Sequence, residues 1–375
     1  MRHSPDILII GGGVIGLTAA YVLAREGRSV SVLDKGEFGQ EASWAGAGIL
    51  PPGNPESAHT AFDRLRAFSV NAFPKLSAEL REQTGVDNGY MISGGLEFPT
   101  DEETSEQEWR GDGVRWESVN RDQLQELQPG LSEHIPSGCY LPDMAQLRNP
   151  RHMQALVASC AAHGVELISG CRVHGFERTS NAIRTVRTDS GLLSAEQFVL
   201  TSGAWTGGLL QQLGWSIPIQ PIRGQIAMLR LDNPNLLRKI LLCGPRYIVP
   251  RSDGRVLIGS TEEDVGFNKQ TTAQAIGELL QLGSDLFPAL KQAHLERCWA
   301  GLRPGSADGL PVIGKLPDPD NLIVAAGHYR AGIQLSIGTA QLISELIHGK
   351  PLSIHTDAFA IERFSQRQEA HGGLV

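Results

Sequence analysis

"ILIIGGGVIGLTAAYVLAREGRSVSVLD", residues 7 to 34, decides the fold. Ile7 to Ile10 read as a buried strand. Residues 14 to 27 carry apolar positions at helical spacing and end at Gly27, and residues 29 to 33 form a second apolar run closed by Asp34. Strand, glycine turn, helix and strand in that order make a βαβ unit. Within it Gly11, Gly13 and Gly16 form a G-x-G-x-x-G fingerprint, with the acid 18 residues after the last glycine. Gly11 permits the tight turn, Gly13 lets the backbone approach a pyrophosphate, and Gly16 lets helix and strand pack closely. The helix start at Val14 and Ile15 offers unpaired N–H groups and a positive dipole end to phosphate. Asp34, with Lys35 beside it, is placed to accept hydrogen bonds from ribose hydroxyls. A glycine turn alone is a common structural device; with both strands, the helix and the acid in register, the reading is a dinucleotide site. The motif by itself does not separate a flavin from a nicotinamide dinucleotide.

The rest of the chain bounds the class. At 375 residues it exceeds the usual size of one core, so two domains sharing a cleft are expected. Apolar residues at 41% and charged residues at 20% are ordinary for a globular protein. The 33 basic and 41 acidic side chains give a net charge of −8 with no block of like charge, which argues against a nucleic-acid footprint. Cys139, Cys160, Cys171, Cys243 and Cys298 are odd in number, widely spaced and without a CxxC pair, so neither a disulfide framework nor a zinc site is expected and a reducing, cytoplasmic compartment fits. The first residues mimic a secretory leader only superficially, since Asp6 interrupts the apolar region and cleavage near Ala24 would remove the glycine motif. No window approaches the about 18 uninterrupted apolar residues of a membrane span.

Along the chain, residues 60 to 84 read as a helix ended by Gly85, and 89 to 145 as a mostly antiparallel region. A helix from Pro150 to Gly164 restarts the helix–strand alternation, followed by strands in "CRVHGFER", "IRTVRTDSG" and "EQFVLTSGAW" that lead to a turn at Gly203. Strands "IRGQIAMLRL" and "RYIVPRSDGRVLIGS" follow, with "SDG" at 252 to 254 as a hairpin signal, then a helix over 270 to 285, a strand over 322 to 326, a loop "GHYRAGI" and a helix over 334 to 348. The expected fold class is α/β with an α+β second domain: a Rossmann-like dinucleotide-binding domain (1–88, 149–218 and 299–375) interleaved with a mostly antiparallel substrate-binding domain (89–148 and 219–298).

"GQEASWAGAGIL", residues 39 to 50 directly after the second strand, resembles the D-amino-acid oxidase-like family of FAD-dependent flavoproteins. The resemblance implies that Glu41, Ala42 and Ser43 lie against the FAD diphosphate and that Ala47, Gly48 and Ile49 run along the flavin ring. Small residues suit that task, because a flat ring needs close backbone approach; the alternative is a tight packing contact. "SGAW" at 202–205, "YIVPRSDGRVLIGST" at 247–261, "WAGLRPGSADGLPVIG" at 299–314 and "LIVAAGHYRAGIQLS" at 322–336 extend the likeness over nearly the whole chain, nearest to the glycine oxidases of the thiazole branch of thiamine synthesis.

That likeness implies a soluble enzyme that removes the α-hydrogen of glycine or another small amine or D-amino acid as hydride to flavin N5. The products are an imine and, from O2, H2O2; thiazole-synthase pathway enzymes are implied as partners and a homo-oligomer, commonly a tetramer, as the assembly. Arg303, in what reads as a "GLRPG" turn, and Tyr247 are implied as carboxylate ligands, and Arg330 as a neighbour of the flavin pyrimidine edge or the substrate. From the residues alone Arg303 could equally cap a surface turn and Tyr247 could be a core aromatic. Val173 matches a main-chain contact to adenine. The loop through His328, Tyr329, Arg330, Ala331, Gly332, Ile333 and Gln334 leads into a helix whose start would stabilise charge on a reduced flavin; His328 reads as a packing residue rather than a base. Glu262 stands where some glycine oxidases carry an apolar residue, so it either faces the substrate amine or points to solvent. No cysteine follows Arg303, so the FAD is expected to be non-covalent. The alternatives are a dehydrogenase of the same fold with a non-oxygen acceptor, an RNA-directed flavoprotein and an inactive scaffold.

Overall fold

The computed structural model describes residues 4–99 and 106–364. Strand β1 (Ile7–Ile10), helix α1 (Val14–Arg25) and strand β2 (Val30–Leu33) form the βαβ unit read from the sequence. β1 lies inside a six-stranded sheet, parallel to β2 on one side and to Gln197–Leu200 on the other. Glu166–Ile168 and Leu322–Ala326 extend the sheet in parallel, and Val312–Lys315 closes one edge antiparallel.

Both faces of this sheet are covered, which is why its strands read as uninterrupted apolar runs. Successive side chains alternate between the two cores. Ile7, Ile9, Val30 and Val32 join the core built with α1, α2 (Ala61–Thr84), α3 (Asn149–Ala162) and α4 (Gly332–His348). Leu8, Ile10, Phe198 and Leu200 join the opposite core, roofed by a three-stranded antiparallel sheet through Ile183 and Val186. Local signals set the helix ends. Thr60 and Asp63 form a capping box at the start of α2, and Gly85 ends it at φ 71°; Pro150 occupies the first turn of α3.

A second sheet of nine strands holds β3 (Ile219–Arg230), β4 (Arg246–Pro250), β5 (Arg255–Gly259) and β6 (His294–Ser306). The turn at 252–254 joins β4 and β5 as an antiparallel hairpin. One parallel pair, Gly95–Phe98 with Ile240–Cys243, stitches the 89–148 segment to the 219–298 segment. Helix Ala273–Leu286 covers the outer face through Leu279 and Leu286, while Ile226, Tyr247, Val249 and Leu257 on the inner face pack towards Ala47.

Some sequence readings change. Arg303 lies not in a turn but in β6, paired across from Ile222. Gly301, Pro304 and Gly305 read as punctuation, yet among the described strands β6 ladders with β3 alone, apart from a single bridge from Gly305 to His328, and an edge strand tolerates proline. β6 also runs unbroken across position 299. The antiparallel region contains two short helices, Glu106–Gly111 and Arg121–Leu127, the second started by an Asn120 capping box. α1 ends at Arg25, before Gly27, and α4 begins at Gly332 rather than near 334.

Candidate functional site

A cleft of about 620 Å³ lies between the two sheets, lined from the β1–α1 turn at one end to Tyr247, Arg303 and Arg330 at the other. Gly11 (φ 116°) leaves no room for a side chain: a Cβ there would sit 2.5 Å from the Thr201 carbonyl oxygen. Gly13 is the N-cap of α1 and has no side chain of its own to cap it, and Gly13, Val14 and Ile15 line the cleft. The Val14 amide donates to Ser43 Oγ at 2.9 Å. Gly16 does not line the cleft; a Cβ would lie 2.0 Å from the Gly11 carbonyl oxygen, so its part is to let α1 lie close to the turn.

Asp34 lines the cleft at the end of β2, its carboxylate accepting from the amides of Gly12 (2.8 Å) and Gly36 (2.9 Å). Burial raises its pKa from the ordinary value, against the pull of those two donors. Lys35 places its ammonium 3.1 Å from the Trp205 ring centroid, and Trp205 stacks on Phe267 at 5.3 Å. This cluster, drawn from three distant segments, was not read from the sequence. Glu41 is paired with Lys269 at 2.9 Å, and Val173 and Gly203 line the same end. Gly203 adopts φ 55°, and a Cβ there would meet no atom within 4 Å.

The middle of the cleft is floored by Ala42, Ser43, Ala47, Gly48 and Ile49. Gly48 is held at φ 68°, with the place of a Cβ 2.2 Å from the Leu147 carbonyl oxygen. A residue absent from the sequence reading fixes this run: buried Arg251 donates to the carbonyls of Ala47 (2.6 Å) and Leu147 (3.0 Å) and to Gln146 Oε1 (2.6 Å). Burial pushes its pKa down to about 9. Asn149 Nδ2 adds a bond to the Ser43 carbonyl at 2.8 Å.

At the far end the Arg303 guanidinium donates to the Thr261 carbonyl (3.1 Å) and to Ser260 Oγ, with Tyr247 close enough to favour its cationic form. Burial lowers its pKa from the ordinary value, and it stays a cation at any working pH. It lies against Gly224 of β3, where a Cβ would come within 2.3 Å of Nη2. The Tyr247 ring lies against Gly259, 2.8 Å from the place of its Cβ. Two strand glycines thus make space for the two implied carboxylate ligands. Arg330 sits at the mouth, ion-paired with Glu262 at 3.5 Å and donating to the Pro245 carbonyl. Glu262 does not line the cleft. His328 is buried with Nε2 3.0 Å from Thr339 Oγ1, and burial drops its pKa to about 3. Tyr329 has φ 48°, the one left-handed non-glycine among the described residues, in the turn that delivers Arg330, Ala331, Gly332, Ile333 and Gln334 to the cleft wall.

Residues 6–346 match the FAD dependent oxidoreductase family, DAO. The chain belongs to this family. This FAD-dependent oxidoreductase is 35% identical to the glycine oxidase of Pseudomonas putida over 361 residues, covering 96% of this chain and 99% of the relative. It is 34% identical to the bifunctional protein ThiO/ThiG of Synechocystis over 374 residues, 97% of this chain but 55% of that longer protein. The crystal structure of glycine oxidase from Geobacillus kaustophilus superposes with a TM-score of 0.91 at 33% identity, covering 96% of this chain and 99% of that one. L-proline dehydrogenase from P. horikoshii shares the fold at a TM-score of 0.87 and 22% identity.

The residues present fit FAD. A helix N-terminus that opens on a glycine is a phosphate cradle, the Asp34 carboxylate has lone pairs beyond its two amide bonds, and the floor from Ala45 to Gly48 admits a flat ring. No group of three or more metal-ligating side chains occurs among the described residues, and no helix among them is long and apolar enough to cross a membrane.

Proposed function

We propose that this FAD-dependent oxidoreductase oxidises small amino acids, glycine foremost. For glycine the balance is glycine, O2 and H2O giving glyoxylate, NH3 and H2O2. The observation that carries the reading is Arg303: a guanidinium at the end of the cleft, held by neutral oxygens beside a tyrosine, with no carboxylate ion-paired to it among the described residues. A cation without a counter-charge in a low-dielectric site favours an anion, and its planar fork matches the two oxygens of a carboxylate. Tyr247, restrained beside it, supplies a second donor to the same group.

FAD, when bound, supplies the two-electron acceptor that takes the α-hydrogen and hands the electrons to O2. The chain's own part is placement. Arg303 and Tyr247 fix the carboxylate, so the α-carbon is carried to one position over the floor at Ala47 and Gly48. Amides at the start of α4, from Gly332 to Gln334, favour negative charge on the group they face. His328, bonded to Thr339 and with its pKa near 3, takes up no proton around neutrality, so no base is drawn from it. The substrate amine must then lose its own proton to solvent, and turnover is expected to rise through alkaline pH.

The names of the relatives support glycine as the substrate, and ThiO/ThiG supports a role in supplying its oxidation product to thiazole synthesis. The test is a panel of glycine, sarcosine, D-alanine and D-proline, with H2O2 and artificial-dye reduction measured in parallel. Peroxide from glycine is expected, with loss of apparent affinity in Arg303→Ala. Dye reduction without peroxide would replace the oxidase reading by a dehydrogenase, and no oxidation of any amino acid would end both.

A further inference from the structure

We propose that Glu262 sets the charge class of the substrate by neutralising Arg330 at the mouth of the cleft, so that the site takes monocarboxylates and turns away dicarboxylates. The inference rests on the reading of Arg303 as the carboxylate anchor. Three arginines line this end: Arg246, Arg303 and Arg330. Two of them carry an acidic partner, Arg246 with Glu278 and Arg330 with Glu262, each at 3.5 Å. Arg303 alone of the three does not ion-pair with a described carboxylate. The mouth is thereby stripped of free positive charge while the anchor keeps its own.

Glu262 is held in place from both sides along the chain. Ser260 and Thr261 supply the oxygens that grip Arg303. Glu263 accepts from Thr261 Oγ1 and from Gln225 Nε2 and pairs with the buried Arg223 guanidinium. Position 262 therefore has a fixed backbone next to the anchor, and its carboxylate reaches Arg330 from outside the cleft lining. Arg303 also feels both charges, Glu262 favouring its cationic form and Arg330 opposing it.

The Glu262 and Arg330 side chains are 44% and 36% exposed, and ion pairs of that exposure add little stability. What the pair does change is what a ligand meets. A dicarboxylate seated on Arg303 would send its second carboxylate outwards, past a like charge and towards a guanidinium already engaged. Without Glu262 the same guanidinium offers two parallel donors to that group.

The test uses the holoenzyme. Acetate and succinate are titrated separately against the flavin absorbance of wild type, Glu262→Gln, Glu262→Asp and Glu262→Gln/Arg330→Ala, and glycine and D-aspartate turnover are compared in the same set. The succinate-to-acetate affinity ratio is expected to rise roughly tenfold in Glu262→Gln, the effect of removing one like-charge contact in a half-solvated site. It should stay near wild type in Glu262→Asp, and the gain should vanish in the double variant. A ratio that does not move, or a gain that survives loss of Arg330, overturns the proposal. Failure of acetate to bind wild type at all would instead remove the anchor, and with it the proposed function.

Discussion

Gly224→Ala tests the carboxylate anchor without touching the anchor itself. Gly224 is a buried β3 residue, and an added methyl would lie 2.3 Å from Nη2, 2.4 Å from Nη1 and 2.5 Å from Cζ of Arg303. No ordinary contact allows this, so the guanidinium must retreat by roughly 1 Å to reach van der Waals separation. The atoms displaced are the far end of a long side chain, so the strand itself has no reason to move. Such a shift breaks the bidentate match to a carboxylate, and a charge-assisted contact of this kind contributes about 1.5–3 kcal/mol. At about 1.4 kcal/mol per tenfold, the expected loss is roughly 10- to 150-fold in acetate affinity and in apparent glycine affinity. Acetate is titrated by the flavin absorbance change, glycine by peroxide production, and Tm is recorded alongside. A large drop in affinity with a nearly unchanged Tm supports the geometry. Wild-type affinity, or a loss wholly matched by unfolding, would show that Arg303 does not work where it lies.

Other outcomes are equally definite. Asp34→Ala leaves the Gly12 and Gly36 amides without their acceptor and should weaken FAD retention by about tenfold or more, read as free flavin fluorescence on dilution; tight retention would remove Asp34 from the cofactor site. His152 is buried beside Asn88 and has its pKa pushed down to about 4 by burial. Between its ordinary 6.5 and that value only the unfolded chain binds the proton, so stability is full above pH 6.5 and is lost as pH falls towards 4, by up to about 1.4 kcal/mol per pH unit. His152→Asn should flatten that part of the Tm-versus-pH curve, and an unchanged slope would contradict the burial argument.

What the sequence disclosed was local. The β1–α1–β2 unit is legible because strand period, helix period and glycine turn all lie within residues 7 to 34 and each answers to a short-range rule. Arg303 and Tyr247 were legible as residues but not in their setting. The glycines that make room for them, Gly224 and Gly259, lie on other strands and look like ordinary interruptions until the sheet forms. Arg251 was missed because "PRSDGR" reads as a solvent turn, whereas folding buries its guanidinium under the Ala47 carbonyl. The Lys35–Trp205–Phe267 stack joins three segments with no shared pattern, so pairwise spacing could not announce it. Glu262 was visible as an oddity, but its partner could be named only once Arg330 was placed within reach.

The ribbon of β3 and β6 has a consequence for how molecules come and go. β6 carries Arg303, and two residues earlier Gly301 fits so closely under Ala45 that a methyl would lie 2.5 Å from it; Trp299 adds a bond to the Ala45 carbonyl. Anchor and floor are thus bolted to one continuous rod, laddered to β3 from Ile219–Ser306 to Arg230–His294. A clamshell opening would have to unzip that ladder. The distance between the Arg303 fork and the Ala45 to Gly48 run is thus set by one strand, and traffic through the cleft is expected to depend on rim side chains, which a crosslink across the rim would test.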